Sequence, residues 1–163
     1  MPSDTELNIS REQMVQFLND DLAREYQAII AYTVYSQVLK GAEFMDIAGE
    51  LEKHAAEELD HALKVSKQID YLGGTPTVTP KAVAFSDNPE DLLRFDLDNE
   101  RETVRQYRQR IRQAEAMGEF ALSEVLRKII VQEQEHEIDL CDALGINVPP
   151  QKPSERKLRQ EVI

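Results

Sequence analysis

Glu58-Leu59-Asp60-His61 and Glu133-Gln134-Glu135-His136 are two copies of one motif, a glutamate followed three residues later by a histidine. On an α-helix, positions i and i+3 share a face, so each copy aims a carboxylate and an imidazole at one point. The same 33 residues separate Glu25 from Glu58 and Glu100 from Glu133. A shift of 75 residues carries the first set onto the second: Glu25 onto Glu100, Glu58 onto Glu133 and His61 onto His136. Asp21, Leu22 and Tyr32 fall by the same shift onto Asp96, Leu97 and Tyr107. The chain reads as a twofold repeat of helical hairpins, each supplying one Glu and one Glu-x-x-His.

Four long helices are expected around these motifs. Ser10 and Gln13 have the spacing of a capping box, and Met14, Leu18, Leu22, Ile29, Tyr32 and Ser36 recur at helical spacing, so the first helix is placed at 10–40 with a stop near Gly41. The second runs from about Met45 to Leu72, where Gly73 and Gly74 end it. Pro89, capped by Asp87 or Asn88, opens a third that reaches about Met117 before Gly118. The fourth spans Glu119 to Leu144 and ends at Gly145.

The connections set the topology. Short links after the first and third helices make each pair an antiparallel hairpin. Between the hairpins lies TPTVTPKAVAFSDN, 75–88, in which Pro76 and Pro80 exclude regular helix. Fourteen extended residues reach about 45 Å, and a 28-residue helix is about 42 Å long. The strap can therefore travel the length of the bundle and set the second and third helices parallel. The expected fold is all-α: two antiparallel helical hairpins joined by a long crossover, the ferritin-like four-helix bundle. Residues 10–145 form its domain, with an extension at 1–9 and a tail at 146–163 in which SERKLRQEVI offers a short terminal helix.

Composition agrees with a single helical domain. Its 163 residues suffice for one core, and few glycines and little aromatic content argue against an all-β chain. A net charge of -12 disfavours nucleic-acid binding, which needs clustered Lys and Arg. Cys141 is the sole cysteine, so neither an intrachain disulfide nor a Cys-x-x-Cys metal knot is available. MPSDTELNIS lacks the pattern of a signal peptide, and no apolar run approaches the roughly 18 residues of a membrane span. A cytoplasmic protein without membrane contact is expected.

The chemistry of the repeat points to a pair of metal ions. Four carboxylates and two neutral imidazoles are hard-to-borderline donors suited to iron or manganese. Buried together they would repel one another, and two divalent cations would cancel their charge. A carboxylate shared from each Glu-x-x-His would hold such ions roughly 3.5–4 Å apart. A structural zinc site would instead favour Cys and His. Ligand type does not separate iron from manganese.

LAREYQAIIAY, EELDH, LLRFDLDNE and QEQEH, in that order, resemble the bacterioferritin branch of the ferritin superfamily over about residues 10–145. The resemblance implies two iron ions per subunit, with Glu25 and Glu100 as terminal ligands, Glu58 and Glu133 as bridges, and His61 and His136 each completing one metal. It implies a ferroxidase that oxidises ferrous iron with dioxygen or hydrogen peroxide and stores or detoxifies the product in a homo-oligomeric cage. Haem-binding members carry Met beside the second-helix bridge. Leu59 stands here, so no haem is expected. A rubrerythrin-like or mini-ferritin oxidase that scavenges peroxide without bulk storage is the alternative. Thr103 in place of an added Glu, and a single cysteine, weaken its rubrerythrin form.

Around the ligands, Tyr32 matches a tyrosine near the metals of related ferritins and is a candidate electron donor, with a core tyrosine bonded to a carboxylate as the alternative; Tyr107 is its repeat mate. Asp21 and Asp96 are candidates to orient the opposite histidines, with capping or solvent exposure as the alternative. His54, one turn before Glu58, is read as a surface or packing histidine, with an ion-guarding role as the alternative. Cys141 is read as a small buried residue.

Overall fold

The computed structural model describes residues 4–150. A short helix α1 (Asp4–Leu7) precedes α2 (Arg11–Val38), α3 (Met45–Tyr71), α4 (Pro89–Ala116) and α5 (Phe120–Leu144), and a 3₁₀ turn at Ala42–Phe44 leads into α3. No strand occurs among the described residues. The expected all-α bundle of two hairpins and a long crossover is the fold observed. The proposed terminal helix at SERKLRQEVI lies outside the described residues.

Local sequence explains the helix ends. The Gln13 amide donates to Ser10 Oγ at 3.1 Å, and the Ser10 amide donates to Gln13 Oε1 at 2.8 Å, which closes the capping box. Asn88 accepts from the Glu90 amide at 3.2 Å, with Pro89 in the first turn of α4. At the end of α3 the Gly73 amide donates to Asp70 and the Gly74 amide to Ile69, and Gly73 has φ +85°. This left-handed closure is cheap for glycine and satisfies carbonyls the helix leaves open.

Within each hairpin α2 packs on α3 and α4 on α5, and α2 also meets α4 while α3 meets α5. Hydrogen bonds trace the crossover along α2. Asn19 donates to the Thr75 carbonyl and accepts from the Thr77 amide, at 3.0 and 2.7 Å. The Lys81 amide donates to Ala23 and Gln27 donates to Ala82, at 3.0 and 2.6 Å. The Tyr35 hydroxyl donates to the Ala84 carbonyl. The strap thus climbs α2 from Asn19 to Tyr35, which carries the chain back to the far end and makes α4 parallel to α3.

The core has two apolar halves. One gathers Met14, Leu18 and Leu22 with Val65, Ile69, Ile111, Leu122 and Leu126. The other gathers Tyr35, Leu39, Ile47, Leu51, Leu92, Leu93 and Leu140. On every long helix the residues between these halves are the Glu and His positions of the repeat. The apolar halves hold four helices rigidly around a polar layer, which is where a functional constellation is best preorganised.

Candidate metal centre

Glu25, Glu58, His61, Glu100, Glu133 and His136 all lie in this layer and all are at least 97 % buried. Side-chain donor atoms of Glu25, Glu58, His61 and Glu133 come within 4.8 Å of one another, as do those of Glu58, Glu100, Glu133 and His136. Glu58 and Glu133 belong to both groups. The shared carboxylates come from α3 and α5, and each end of the pair is closed by one further Glu and one His.

The histidines face the cluster through the same atom. His61 Nδ1 lies 3.1 Å from Glu58, 3.2 Å from Glu133 and 3.6 Å from Glu25. His136 Nδ1 lies 3.0 Å from Glu58, 3.4 Å from Glu133 and 3.7 Å from Glu100. Their Nε2 atoms point the other way, 2.8 Å from Gln132 Oε1 for His61 and 2.7 Å from Glu57 Oε2 for His136. An acceptor on Nε2 holds a proton there, so Nδ1 is the atom that can turn a lone pair inward once it gives up its own proton. Glu57 and Gln132 are related by the 75-residue shift and stand immediately before Glu58 and Glu133. That repeat position is legible in the sequence, but its link to the opposite histidine is not, because it joins α3 to α5.

Asp21 and Asp96 do not take the expected role. Asp21 pairs with Arg24 and accepts from Arg110 Nε at 2.8 Å, so two guanidinium groups occupy it instead of a histidine. Asp96 is buried beside Glu100, and its Oδ2 has no hydrogen-bond partner. Burial and then the Glu100 charge push its carboxyl well above the ordinary range. Tyr32 and Tyr107 cross between hairpins: the Tyr32 hydroxyl donates to Glu100, and the Tyr107 hydroxyl to Glu25. Each tyrosine thus fixes the terminal Glu of the other repeat. His54 is not on the surface; it is buried and stacks on His136 with ring centroids 4.0 Å apart. Cys141 is buried, as expected.

Several polar atoms here lack a hydrogen-bond partner despite full burial: Glu58 Oε1, Glu100 Oε2, both Glu133 oxygens and His136 Nδ1. Unsatisfied buried carboxylate oxygens cost free energy unless something else meets them. They converge on the two four-residue groups, so the donor set fits a pair of divalent cations. Without cations, protons take their place. Burial and then Glu133 and Glu25 push the Glu58 carboxyl far up. Burial and then Glu133 raise Glu100 to about 7, against the opposing pull of His136. Burial works against charging His61 and His136, but the carboxylates around them outweigh it and raise both imidazoles.

Metal binding must therefore expel protons. Below about pH 7 a proton holds Glu100, and the surrounding carboxylates favour the protonated imidazoles, so apparent affinity should climb as pH rises from 6 to 8. Calorimetric Co(II) titrations at pH 7.5 in buffers of different ionisation enthalpy should show net proton release on binding, from the two imidazoles and from the Glu58 carboxyl. A heat independent of buffer would contradict this protonation state.

The sequence profile of the Ferritin-like domain family matches residues 15–145. A bacterioferritin from Rhodobacter capsulatus is 25 % identical over 140 residues, covering 82 % of this chain and 87 % of its own. One from Desulfovibrio desulfuricans is 24 % identical, with 77 % and 71 % covered. A ferritin-like diiron-carboxylate protein from Bacillus anthracis superposes with TM-score 0.79 at 30 % identity, covering 83 % of this chain and 99 % of its own. The bacterioferritin-related dodecameric thioferritin of Bacteroides fragilis superposes with TM-score 0.77 at 27 % identity, covering 84 % and 87 %. With its helical repeat, its crossover and its paired Glu-x-x-His motifs, this chain belongs to the ferritin-like domain family.

Proposed function

We propose that the chain is a di-iron ferroxidase that binds two ferrous ions per subunit and oxidises them with dioxygen or hydrogen peroxide, as a homo-oligomer that stores or detoxifies the ferric product. The carrying observation is that two buried four-ligand groups share Glu58 and Glu133, whose orphaned oxygens converge between the histidines. Two ferrous ions as substrate supply two electrons to one oxidant molecule. The similarity to bacterioferritins and to a diiron-carboxylate protein favours iron over manganese.

The surrounding residues have definable parts in this reaction. Gln132 and Glu57 orient the imidazoles. Tyr107 fixes Glu25 and Tyr32 fixes Glu100. Tyr32 is also placed to give one electron to the oxidant while its phenol proton passes along its hydrogen bond to Glu100. Rapid-freeze EPR during ferrous oxidation should show a tyrosyl radical that Tyr32→Phe removes; the same radical persisting in the variant would end this assignment.

Ferrous titration followed by iron absorbance tests the function itself. Fast oxidation should saturate at about two irons per subunit, the capacity of a paired site. A protein that binds iron but oxidises it with neither dioxygen nor peroxide would sink the ferroxidase reading. The dodecameric relative favours a second reading, a small shell that consumes peroxide without bulk storage. Faster turnover with peroxide and a native mass of about twelve subunits would select it. Leu59, beside the shared Glu58, is half exposed and brings no thioether to a haem iron.

A further inference from the structure

The two halves of the centre share their ligand types but not the groups behind them. His136 Nε2 lies 2.7 Å from Glu57 Oε2, whereas His61 Nε2 lies 2.8 Å from Gln132 Oε1. Glu57 and Gln132 are repeat mates, so one position of the repeat carries a carboxylate in one half and an amide in the other. Glu57 is part-exposed, with 38 % of its side chain open, so a charge there costs little desolvation. A carboxylate that accepts from the far nitrogen of an imidazole makes the ring a stronger donor through its near nitrogen. An uncharged amide oxygen does so less.

A second difference lies one helical turn before each terminal glutamate and has the same sign. Asp21, before Glu25, lies against the Arg24 and Arg110 guanidinium groups, both buried, which leaves positive charge in excess behind the Glu25 and His61 end. The repeat mates of Arg24 and Arg110 are Asn99 and Tyr35, so Asp96, before Glu100, has no such cations and its Oδ2 is unpartnered. Arg101, next to Glu100 in sequence, is paired with Glu137 at 3.3 Å and adds no net charge. Cations at the two ends therefore meet unlike fields. Arginine disfavours one at the His61 end, and the Glu57 carboxylate favours one at the His136 end.

Resting on the di-iron reading above, we propose that Glu57 and Gln132 are positioning residues that act through the histidines and make the two metal positions unequal. The first divalent cation is held among Glu58, Glu100, Glu133 and His136. The position completed by Glu25 and His61, backed by Gln132, is the weaker and more readily exchanged of the two. An iron pair that empties and refills therefore turns over first on the His61 side. Because the difference between Glu57 and Gln132 is one of charge and not of shape, exchanging the two side chains should move the preference.

Co(II) at one equivalent per subunit, located by anomalous diffraction from crystals of the full chain, tests this. In the wild type, occupancy at the His136 position should exceed that at the His61 position by about tenfold, within the range that a partner behind a metal ligand commonly contributes. Glu57→Gln, an isosteric change at a part-exposed residue, should bring the two occupancies close to equal. Gln132→Glu should do so from the other side, and Glu57→Gln/Gln132→Glu should shift the excess toward His61. In solution, the two Co(II) dissociation constants read from visible absorption should lie about tenfold apart in the wild type and converge in Glu57→Gln, while the metal-free melting temperature stays unchanged. A purely structural role would not move that gap. Equal occupancies in the wild type, an excess at the His61 position, or a ratio that none of the variants changes would overturn the proposal and leave the di-iron centre in place. Co(II) at neither position would instead overturn the di-iron reading, and this proposal with it.

Discussion

Replacing Glu58 and Glu133 together by alanine should lower the rate of fast ferrous oxidation by more than about 100-fold while leaving a folded helical bundle. Orienting partners one shell out from a metal commonly contribute about 10–100-fold, and these two carboxylates are the only members common to both four-ligand groups. Their removal takes away the groups that would hold the ions as a pair. The fold should survive because both side chains are held by the core instead of holding it. Glu133 makes no well-aligned hydrogen bond through either oxygen, and Glu58 leaves Oε1 unmet, although each lies near a histidine Nδ1. Crowded buried carboxylates repel one another, so losing two of the four offsets the cavity left by truncation. Thermal unfolding of the metal-free variant should therefore fall within a few degrees of the metal-free wild type or above it. A variant that fails to fold would assign Glu58 and Glu133 to structure.

Much of this arrangement is legible in the sequence because helical spacing determines which residues share a face. Gly41, Gly73, Gly118 and Gly145 all take positive φ at or beside the helix ends they were expected to mark. Pro76 and Pro80 sit in a strap whose length alone requires a crossover. The six Glu and His positions follow from one shift of 75 residues. Contacts between helices are a different matter, since spacing along one helix says nothing about which side chain on a neighbour meets it. Asp21, a candidate to orient a histidine, instead meets Arg110, 89 residues away on α4. Glu57 and Gln132 each serve the histidine of the other hairpin, a pairing that spacing along one helix does not reveal. From α3 alone His54 reads as a surface or packing histidine; the packing of α5 against α3 places His136 over its ring and settles it as packing.

The departures from repeat symmetry are therefore informative. Both halves supply the same ligands, but their surroundings differ. Asp21 is neutralised by two arginines, whereas the Oδ2 of its mate Asp96 has no hydrogen-bond partner and the residue lies near Glu100, Tyr32 and Tyr35. Burial and then the Asp96 charge push Tyr35 up to about 12. His54 and Glu50 have no polar counterpart at Ile129 and Val125. The two candidate four-residue groups thus sit in unlike fields, one closed by apolar core and one flanked by acids and imidazole. On the proposed di-iron reading, that difference would make the two positions fill in sequence.

Binding of two divalent ions should raise the melting temperature of the wild type by roughly 10–20 °C. At free metal about 100 times each dissociation constant, linkage contributes about 2.7 kcal/mol per ion, hence about 5 kcal/mol for the pair. For a chain of this size each kcal/mol moves the midpoint by about 2–4 °C. The sign of the pH dependence follows from Glu100. Its folded pKa of about 7 lies above its ordinary value of 4.5, so the metal-free fold binds the extra proton. The stabilisation from that proton is complete at low pH and is lost as pH rises from about 4.5 through 7. The metal-free protein should thus weaken on this account between pH 5 and 7.5, where the carboxylate becomes free to meet a cation. Differential scanning fluorimetry with and without Co(II) should show a larger metal shift at pH 7.5 than at pH 5.5, and almost none for Glu58→Ala/Glu133→Ala. An equal shift in that variant would place the stabilising ions elsewhere. A shift that shrinks as pH rises would mean that the buried carboxylates are already ionised without metal.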